Sequence, residues 1–330
     1  MIDPRFTVVG IGNAIVDVLA YADDQFIIEN DLIKGTMSLV DEAEAEIIYS
    51  KMDKGVECSG GSAANTIAAL ASLGSSGAFI GKVKDDKLGK VFHDDITLLG
   101  ITFKTAANTD GLSTARCMIH VTPDAQRTMQ TFLGASSNLG PEDIDESIIS
   151  DAKVTYLEGY LWDPDLAKQA FRKAAKTAES AGRLVALSLS DPFCVERHRV
   201  DFLDFVKNHV NILFANEEEI MSLYQLKDFD AAMEAVCADC DIAALTRGEK
   251  GSIAVRGDEV HIAKAEPVTK VVDTTGAGDA YAAGFLHGLT TDQPLNICAR
   301  LGGICSAEII SHVGARPSVS LKNLIEEKIK

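Results

Sequence analysis

Basic residues are the scarce class in this 330-residue chain. Lys and Arg number 31 against 49 Asp and Glu, which leaves a formal charge of −18 at pH 7. Such a chain repels phosphate backbones and anionic membranes at long range, so neither nucleic acid nor a membrane surface is an expected partner. An anionic ligand must then be held locally, by backbone N–H groups, a helix N-terminus or a metal ion. Long apolar runs are also missing: no window reaches the roughly 18 uninterrupted apolar residues of a membrane span. The apolar stretch from Phe6 to Ala22 is broken by Gly10, Gly12, Asn13 and Asp17 and has no basic leader or small-residue cleavage site. It is therefore not read as a signal peptide, and a cytoplasmic location with reduced thiols is expected. The seven cysteines are an odd number, and Cys237 and Cys240 form a lone CxxC with no second pair spaced for zinc, so they read as buried thiols on a helix. Internal repeats, low-complexity tracts and Pro-rich linkers are absent, which speaks against two serially joined domains.

What is present is alternation. Short β-rich runs at Phe6–Ile11, Ala78–Val83, Val154–Leu157, Leu184–Leu189, Ile212–Phe214 and Ile242–Leu245 are mostly separated by helical stretches. Leu166–Ala181 is an example, with Leu166, Ala170, Phe171, Ala174 and Ala178 on one side. The pattern predicts a doubly wound, mostly parallel α/β core flanked by helices. Two segments depart from it. Residues 18–40 read as short strands joined by acidic loops. Residues 103–134 read as a meander that alternates over Thr114–Thr122, turns at Pro123-Asp124-Ala125, and alternates again over Thr128–Leu133. Together they predict a small β-sheet inserted into a single domain and lying over one edge of the core.

Several glycine-rich turns follow strands. Val8–Ile15 starts like a dinucleotide fingerprint, but Ile15 stands where the third glycine belongs. Asn13 and Asp17, just past the strand, read instead as a hydroxyl-binding edge or part of a structural turn. Ser76–Val83 mimics a P-loop but lacks its first Gly and its magnesium-binding Ser/Thr. Gly60-Gly61-Ser62-Ala63-Ala64-Asn65 leads into an Ala-rich helix ended by Gly74. Paired glycines let a substrate approach the backbone, and Asn65 in the first turn can face the same ligand; the bland reading is a tight strand–helix turn.

The most informative stretch is Asp273-Thr274-Thr275-Gly276-Ala277-Gly278-Asp279, a Gly-rich turn running into a helix. The N–H groups of Gly276, Ala277 and Gly278 with the helix N-terminus make an anion site. A carboxylate beside an anion hole would repel a phosphate. It makes sense if Asp279 faces an incoming hydroxyl while the amides hold a transferring phosphoryl group. Lesser motifs agree. Thr246, Gly248 and Gly251 form a turn that can line phosphates, and Asn216 with Glu219 can cap a helix or hold magnesium-bound water. The late turn Gly314-Ala315-Arg316-Pro317-Ser318 can return to the site.

With these motifs in this order, the sequence resembles the ribokinase-like (PfkB) family of carbohydrate and nucleoside kinases, over almost the whole chain. The resemblance implies an α/β core with a β-sheet lid, and ATP with Mg²⁺ as co-substrate and cofactor. It implies Asp279 as general base and the Gly276–Gly278 amides as the hole for the phosphoryl group. Asn13, Asp17, Gly60, Gly61 and Asn65 would bind hydroxyls of the acceptor. Thr246, Gly248, Gly251 and Asn216 would lie along ATP, Glu219 would organise Mg²⁺ through water, and Arg127, with Arg116 second, would reach phosphate. Where the family uses K⁺ or another monovalent cation, the matching positions are Asp273, Thr275, Gly314 and Ser318. The chain looks more like the adenosine-kinase branch than the sugar kinases, with Ile15, Leu39, Met129, Phe132 and Tyr160 as apolar contacts for a purine. Phosphorylation of adenosine to AMP is the expected reaction. Its rivals are a ribokinase- or fructokinase-type sugar kinase, a silent binding protein of the same fold, and an NAD-dependent oxidoreductase using Gly10 and Gly12. A monomer or a homodimer is expected.

Overall fold

The computed structural model of the chain describes residues 3–124 and 126–329, so Ala125 of the expected turn lies outside the described residues. The first half runs β1 (Phe6–Ile11), β2 (Ile15–Tyr21), α1 (Asp24–Glu29), β3 (Met37–Leu39), α2 (Glu42–Lys51), β4 (Val56–Gly60), α3 (Ser62–Ser72), β5 (Gly77–Ile80), α4 (Lys87–Leu98), β6 (Thr102–Phe103), β7 (Ala115–Val121) and β8 (Arg127–Phe132). The second half continues α5 (Glu146–Ser150), β9 (Ala152–Glu158), α6 (Asp165–Ser180), β10 (Leu184–Ser188), α7 (Pro192–His209), β11 (Ile212–Asn216), α8 (Glu217–Tyr224), α9 (Phe229–Cys237), β12 (Ile242–Thr246), β13 (Ser252–Arg256) and β14 (Glu259–Ala263). Helices α10 (Ala277–Thr290), α11 (Leu295–Ile309) and α12 (Leu321–Lys328) end the run.

The large sheet has the order β14-β13-β12-β11-β10-β9-β1-β5-β6. Its strands pair in parallel from β12 to β6, and only β13 and β14 run antiparallel at the far edge. Side chains alternate across it. Val8, Val154, Tyr156 and Ala244 face one core with α3, α10 and α11; Val9, Leu157, Ala243 and Leu245 face the other with α6 and α7. In the second core Trp162 is fully buried and stacks on Phe202, with Phe171 and Phe205 also against it. The expected parallel α/β core is present.

A second sheet has the order β3-β8-β7-β2-β4. Its composition departs from the boundaries read from sequence. It begins at Ile15 rather than 18, and it includes β4, which the glycine-rich turn after Cys58 had hidden. Residues 102–103 pair with β5 at the edge of the large sheet instead. Between β2 and β3 the chain forms α1, because Asp23 accepts a hydrogen bond from the Phe26 N–H and caps a helix where acidic loops were expected. Alternation then sorts the sheet's two faces. Met118 and Phe132 pack with Ala45 and Ile48 of α2, while Ile15, Cys117 and Ile119 lie on the other face with Met129 and Leu19.

Candidate active site

In the large sheet the chain leaves β1 for β5 on one side and later returns to β9 on the other. The C-terminal ends of β1 and β9 thus flank a topological switch point, where open α/β sheets take their ligands. Glu158, the last residue of β9, lies there almost fully buried. Its carboxylate accepts from the Asn13 side chain at 2.7 Å, the Asn13 N–H at 3.3 Å and the Ala63 N–H at 2.8 Å. Desolvation pushes its pKa up to about 7, against those hydrogen bonds. Ser136 donates to the Asn13 side-chain oxygen at 2.9 Å. Asn13 is therefore not a free hydroxyl-binding group. It is 2% exposed and spent on Glu158 and Ser136. Glu158 escaped the sequence reading because its partners lie 145 and 95 residues away.

The same crevice explains two glycines. A Cβ at Gly12 would lie 2.2 Å from the Glu158 carboxylate, and β1 runs into β2 rather than into a helix. The dinucleotide alternative loses its strand–turn–helix frame on both counts. Gly61 starts α3 with φ +96°, and its Cβ would meet the Asn13 carbonyl oxygen at 2.2 Å. At Gly60 the neighbour is the Asp17 carboxylate, 2.3 Å from a would-be Cβ. Asp17 is half-buried and, among the described residues, accepts no hydrogen bond; the glycine leaves its carboxylate uncovered.

Helix α10 starts at the left-handed Gly276 with no side-chain cap, as α3 starts at Gly61 with none. The Ala277 N–H turns back onto the Thr274 carbonyl at 3.2 Å. The amides of Gly276, Gly278 and Asp279 have no acceptor among the described residues, so the open trio has Asp279 in place of the expected Ala277. Asp279 sits in this first turn. Ser62 donates to its Oδ1 at 2.6 Å and Asn65 to its Oδ2 at 3.2 Å, which brings the two glycine motifs together across 217 residues. Desolvation raises the Asp279 pKa to about 6, opposed by Ser62, Asn65 and Arg316. Asp17 is likewise raised to about 6 by desolvation, with the Arg316 and Arg127 charges opposing and the Asp279 charge adding to the rise.

Arg127 projects from β8 on the Asp17 face and pairs with Asp273 and with the Thr275 hydroxyl. The Asp273 carboxylate also accepts from the Thr275 N–H at 3.0 Å and the Gly314 N–H at 2.8 Å. Asp273, Thr275 and Gly314 thus assemble, but Ser318 does not: its hydroxyl donates to Glu308 at 2.6 Å. With the guanidinium on Asp273 and Ser318 turned away, the four residues do not fit a monovalent cation here. Arg116 is a second correction. It lies on the opposite face of the sheet from Asp17, pairs with Glu46 at 2.8 Å and covers the Tyr49 and Phe132 rings.

Beyond the switch point, Asn216 and Thr246 pair at the ends of β11 and β12. Asn216 and Glu219 close a reciprocal cap: Asn216 Oδ1 accepts from the Glu219 N–H at 2.8 Å, and both Glu219 oxygens accept from Asn216. Glu219 is 5% exposed, and desolvation lifts its pKa to about 7. It does not fit as a direct magnesium ligand. Gly248 and Gly251 bound the next turn, both at positive φ. Of the apolar candidates, Ile15 and Met129 belong to the inner face of the second sheet, Leu39 is 62% exposed beside them, and Phe132 faces α2. Tyr160 is 40% exposed, and the charges of Asp191, Asp279 and Glu219 act on its hydroxyl. Cys237 ends α9 and Cys240 follows it as free thiols, the latter pushed up to about 12 by burial.

Residues 30–322 match the model of the pfkB family of carbohydrate kinases. The chain belongs to that family. The structure of adenosine kinase from Sinorhizobium meliloti shares 48% identity with it at a TM-score of 0.90, covering 98% of this chain and 99% of the other. A probable sugar kinase protein from Rhizobium etli shares 45% over the same extents, also at 0.90. An ATP-dependent ribose-1-phosphate kinase from Halopiger xanaduensis is 32% identical over 266 residues, 78% of this chain and 82% of its own length. The protein is thus a kinase of pfkB type, a phosphotransferase acting on an alcohol group with ATP as co-substrate. No helix among the described residues is long and apolar enough to cross a membrane.

Proposed function

We propose that the protein transfers the γ-phosphoryl group of ATP to the primary hydroxyl of a nucleoside, converting adenosine to AMP. One observation carries the reading: Asp279 is fixed by Ser62 and Asn65 in the first turn of α10, beside three amides with no acceptor. The acceptor oxygen attacks the γ-phosphorus, its proton passes to the Asp279 carboxylate, and the bond from phosphorus to the ADP oxygen breaks. The free amides of Gly276, Gly278 and Asp279 meet the charge that spreads over the phosphoryl oxygens. A carboxyl with a pKa of about 6 is mostly ionised at pH 7 and still basic enough to take the proton. Asp17 binds acceptor hydroxyls against Gly60, and Thr246, Gly248, Gly251 and Asn216 lie along ATP. Mg²⁺ would arrive on the ATP phosphates and keep most of its water shell.

Two features support a nucleoside over a phosphorylated sugar. The Ile15, Leu39 and Met129 surface beside Asp17 offers flat apolar area for a base. The arginines considered for phosphate are committed, Arg127 to Asp273, Arg116 to Glu46 on the far face of the sheet and Arg316 to backbone carbonyls, so none of the three is free for a substrate phosphate. The similarity to a probable sugar kinase sustains the second reading, in which ribose or fructose is the acceptor. ADP release measured over adenosine, inosine, ribose and fructose decides between them. Preference for a free sugar would end the adenosine reading. Asp279→Asn should lower kcat by about 10²–10⁴-fold; near-normal turnover would remove Asp279 from its role.

A further inference from the structure

The loop after α11 brings one more charged group to the site, Arg316. Its Nε and Nη2 donate to the Ser59 carbonyl at 3.1 and 2.5 Å, Nη2 also to the Ser59 hydroxyl at 2.9 Å, and Nη1 to the Ala64 carbonyl at 3.2 Å. Ser59 is fully buried, and its N–H and hydroxyl both donate to Asp95 of α4, at 2.8 and 2.6 Å. The fork therefore grips both ends of the segment Ser59–Asn65, which contains Gly60 under Asp17 and the two donors that hold Asp279. The other end of the grip is the loop itself. Two residues before Arg316, the Gly314 N–H donates to Asp273, and Ala315 packs so closely on Gly276 that a Cβ there would lie 2.7 Å away. One arginine thus joins the acceptor side of the crevice to the turn that carries the open amides.

We propose that Arg316 is a positioning residue for phosphoryl transfer: its guanidinium fixes the Ser59–Asn65 segment against the Asp273–Gly276 turn and supplies the positive charge that Asp17 and Asp279 face. The proposal rests on Asp279 as the proton acceptor. It goes beyond that reading because Arg316 touches neither carboxylate within ion-pair distance and spends its fork on Ser59 and Ala64. The other polar or charged groups around Asp279 are Ser62 and Asn65 from α3, Asp17 from β2, Tyr156 and Glu158 from β9, and Tyr160 beyond it. Around Asp17 they are Arg127, Cys58 and Cys117. Arg316 is the cation whose field acts on both carboxylates and opposes their neutralisation. Arginine is required because a lysine ammonium cannot hold carbonyls at both ends of the Ser59–Asn65 segment in one planar fork.

The test compares Arg316→Lys and Arg316→Gln with the wild type, using ADP release with the wild type's preferred acceptor between pH 4.5 and 8.5. Arg316→Lys keeps the charge and loses the fork, so kcat should fall about 10-fold or more while the acid limb of kcat/KM stays in place. Arg316→Gln loses both, so that limb should also move up by about one pH unit. Wild-type kcat in Arg316→Lys overturns the proposal. So does Arg316→Gln with an unmoved acid limb, since that reduces the residue to holding the fold together. If Arg316→Gln does not fold, the kcat of Arg316→Lys decides alone. A wild type with no acid limb near pH 6 would instead defeat the role of Asp279, which keeps the two failures distinguishable.

Discussion

Replacing Asp279 by Asn should remove a pH-dependent cost of folding as it disables the enzyme, and the pH dependence of that change is the sharpest check on the site. In the fold its pKa rises from 3.8 to about 6, chiefly by desolvation. A rise of roughly 2 pH units at about 1.36 kcal/mol each sets a ceiling of about 3 kcal/mol on the cost of ionising it. Asp279 keeps part of its surface open to solvent, so about 1–2 kcal/mol is the working figure, or roughly 1.5–3 °C in Tm for a chain of this size. The sign follows from proton counting. Below about pH 4 the carboxyl is protonated in both folded and unfolded chains. Between about pH 4 and 6 the folded state still holds a proton that the unfolded state has released, so wild-type stability falls as pH rises, then levels. Asn has no such window. Its amide would meet the Asn65 donor, a loss of about 1 kcal/mol that does not vary with pH. The Tm of Asp279→Asn minus that of the wild type, measured by differential scanning calorimetry from pH 4 to 7.5, should therefore increase through pH 4–6 and then stay flat. A difference that is constant over the whole range would refute the desolvated carboxylate on which the mechanism depends.

Three further outcomes are expected. Asp17→Asn should raise the acceptor KM at least 10-fold with a smaller change in kcat, because Asp17 binds hydroxyls that do not react; a loss confined to kcat would contradict it. Gly61→Ala should lower kcat/KM about 100-fold or more, since φ +96° and the Asn13 carbonyl oxygen at 2.2 Å displace the start of α3 and with it Ser62 and Asn65; steady-state kinetics on the folded variant would show it. Trp162→Ala should cost about 3–5 kcal/mol in urea unfolding, because that ring is fully buried against Phe171, Phe202 and Phe205; a loss under about 1 kcal/mol would contradict it.

The parts of the site that could be read in the sequence are those that are local. Asp273–Asp279 announces a turn, a helix start and a carboxylate within seven consecutive residues, and its backbone does what those residue types require. The parallel core was legible because each strand and helix carries its own periodicity. What stayed hidden acts across distance. Glu158 looks like an ordinary end of a buried strand until Asn13 and Ala63 are folded onto it. Arg316 sits in a short turn whose side chain has meaning only beside Ser59, 257 residues earlier. Strand β4 was lost because Cys58-Ser59-Gly60-Gly61 reads as a turn, and pairing with β2 overrides that local preference. Glu219 is a local case. The sequence offered it as half of a helix cap or as a holder of magnesium-bound water, and its carboxylate accepts from the Asn216 N–H and side-chain amide, as a cap requires.

The bare glycine start of α10 has an electrical consequence. Most other helices here, including α4, α7, α8 and α9, have their first N–H groups closed by an Asp or Asn side chain. At α3 the Glu158 carboxylate takes up the Ala63 N–H, so it is the open amides at the start of α10 that can draw in phosphate, on a body of charge −18. A triphosphate is then pushed away in the bulk and drawn in only over the last few ångströms. Added salt shrinks the reach of the first force from about 10 Å at 0.1 M to about 3 Å at 1 M and barely touches the second. Nucleotide capture by this enzyme should quicken with moderate salt, the opposite of the behaviour of proteins that recruit phosphate with surface lysines.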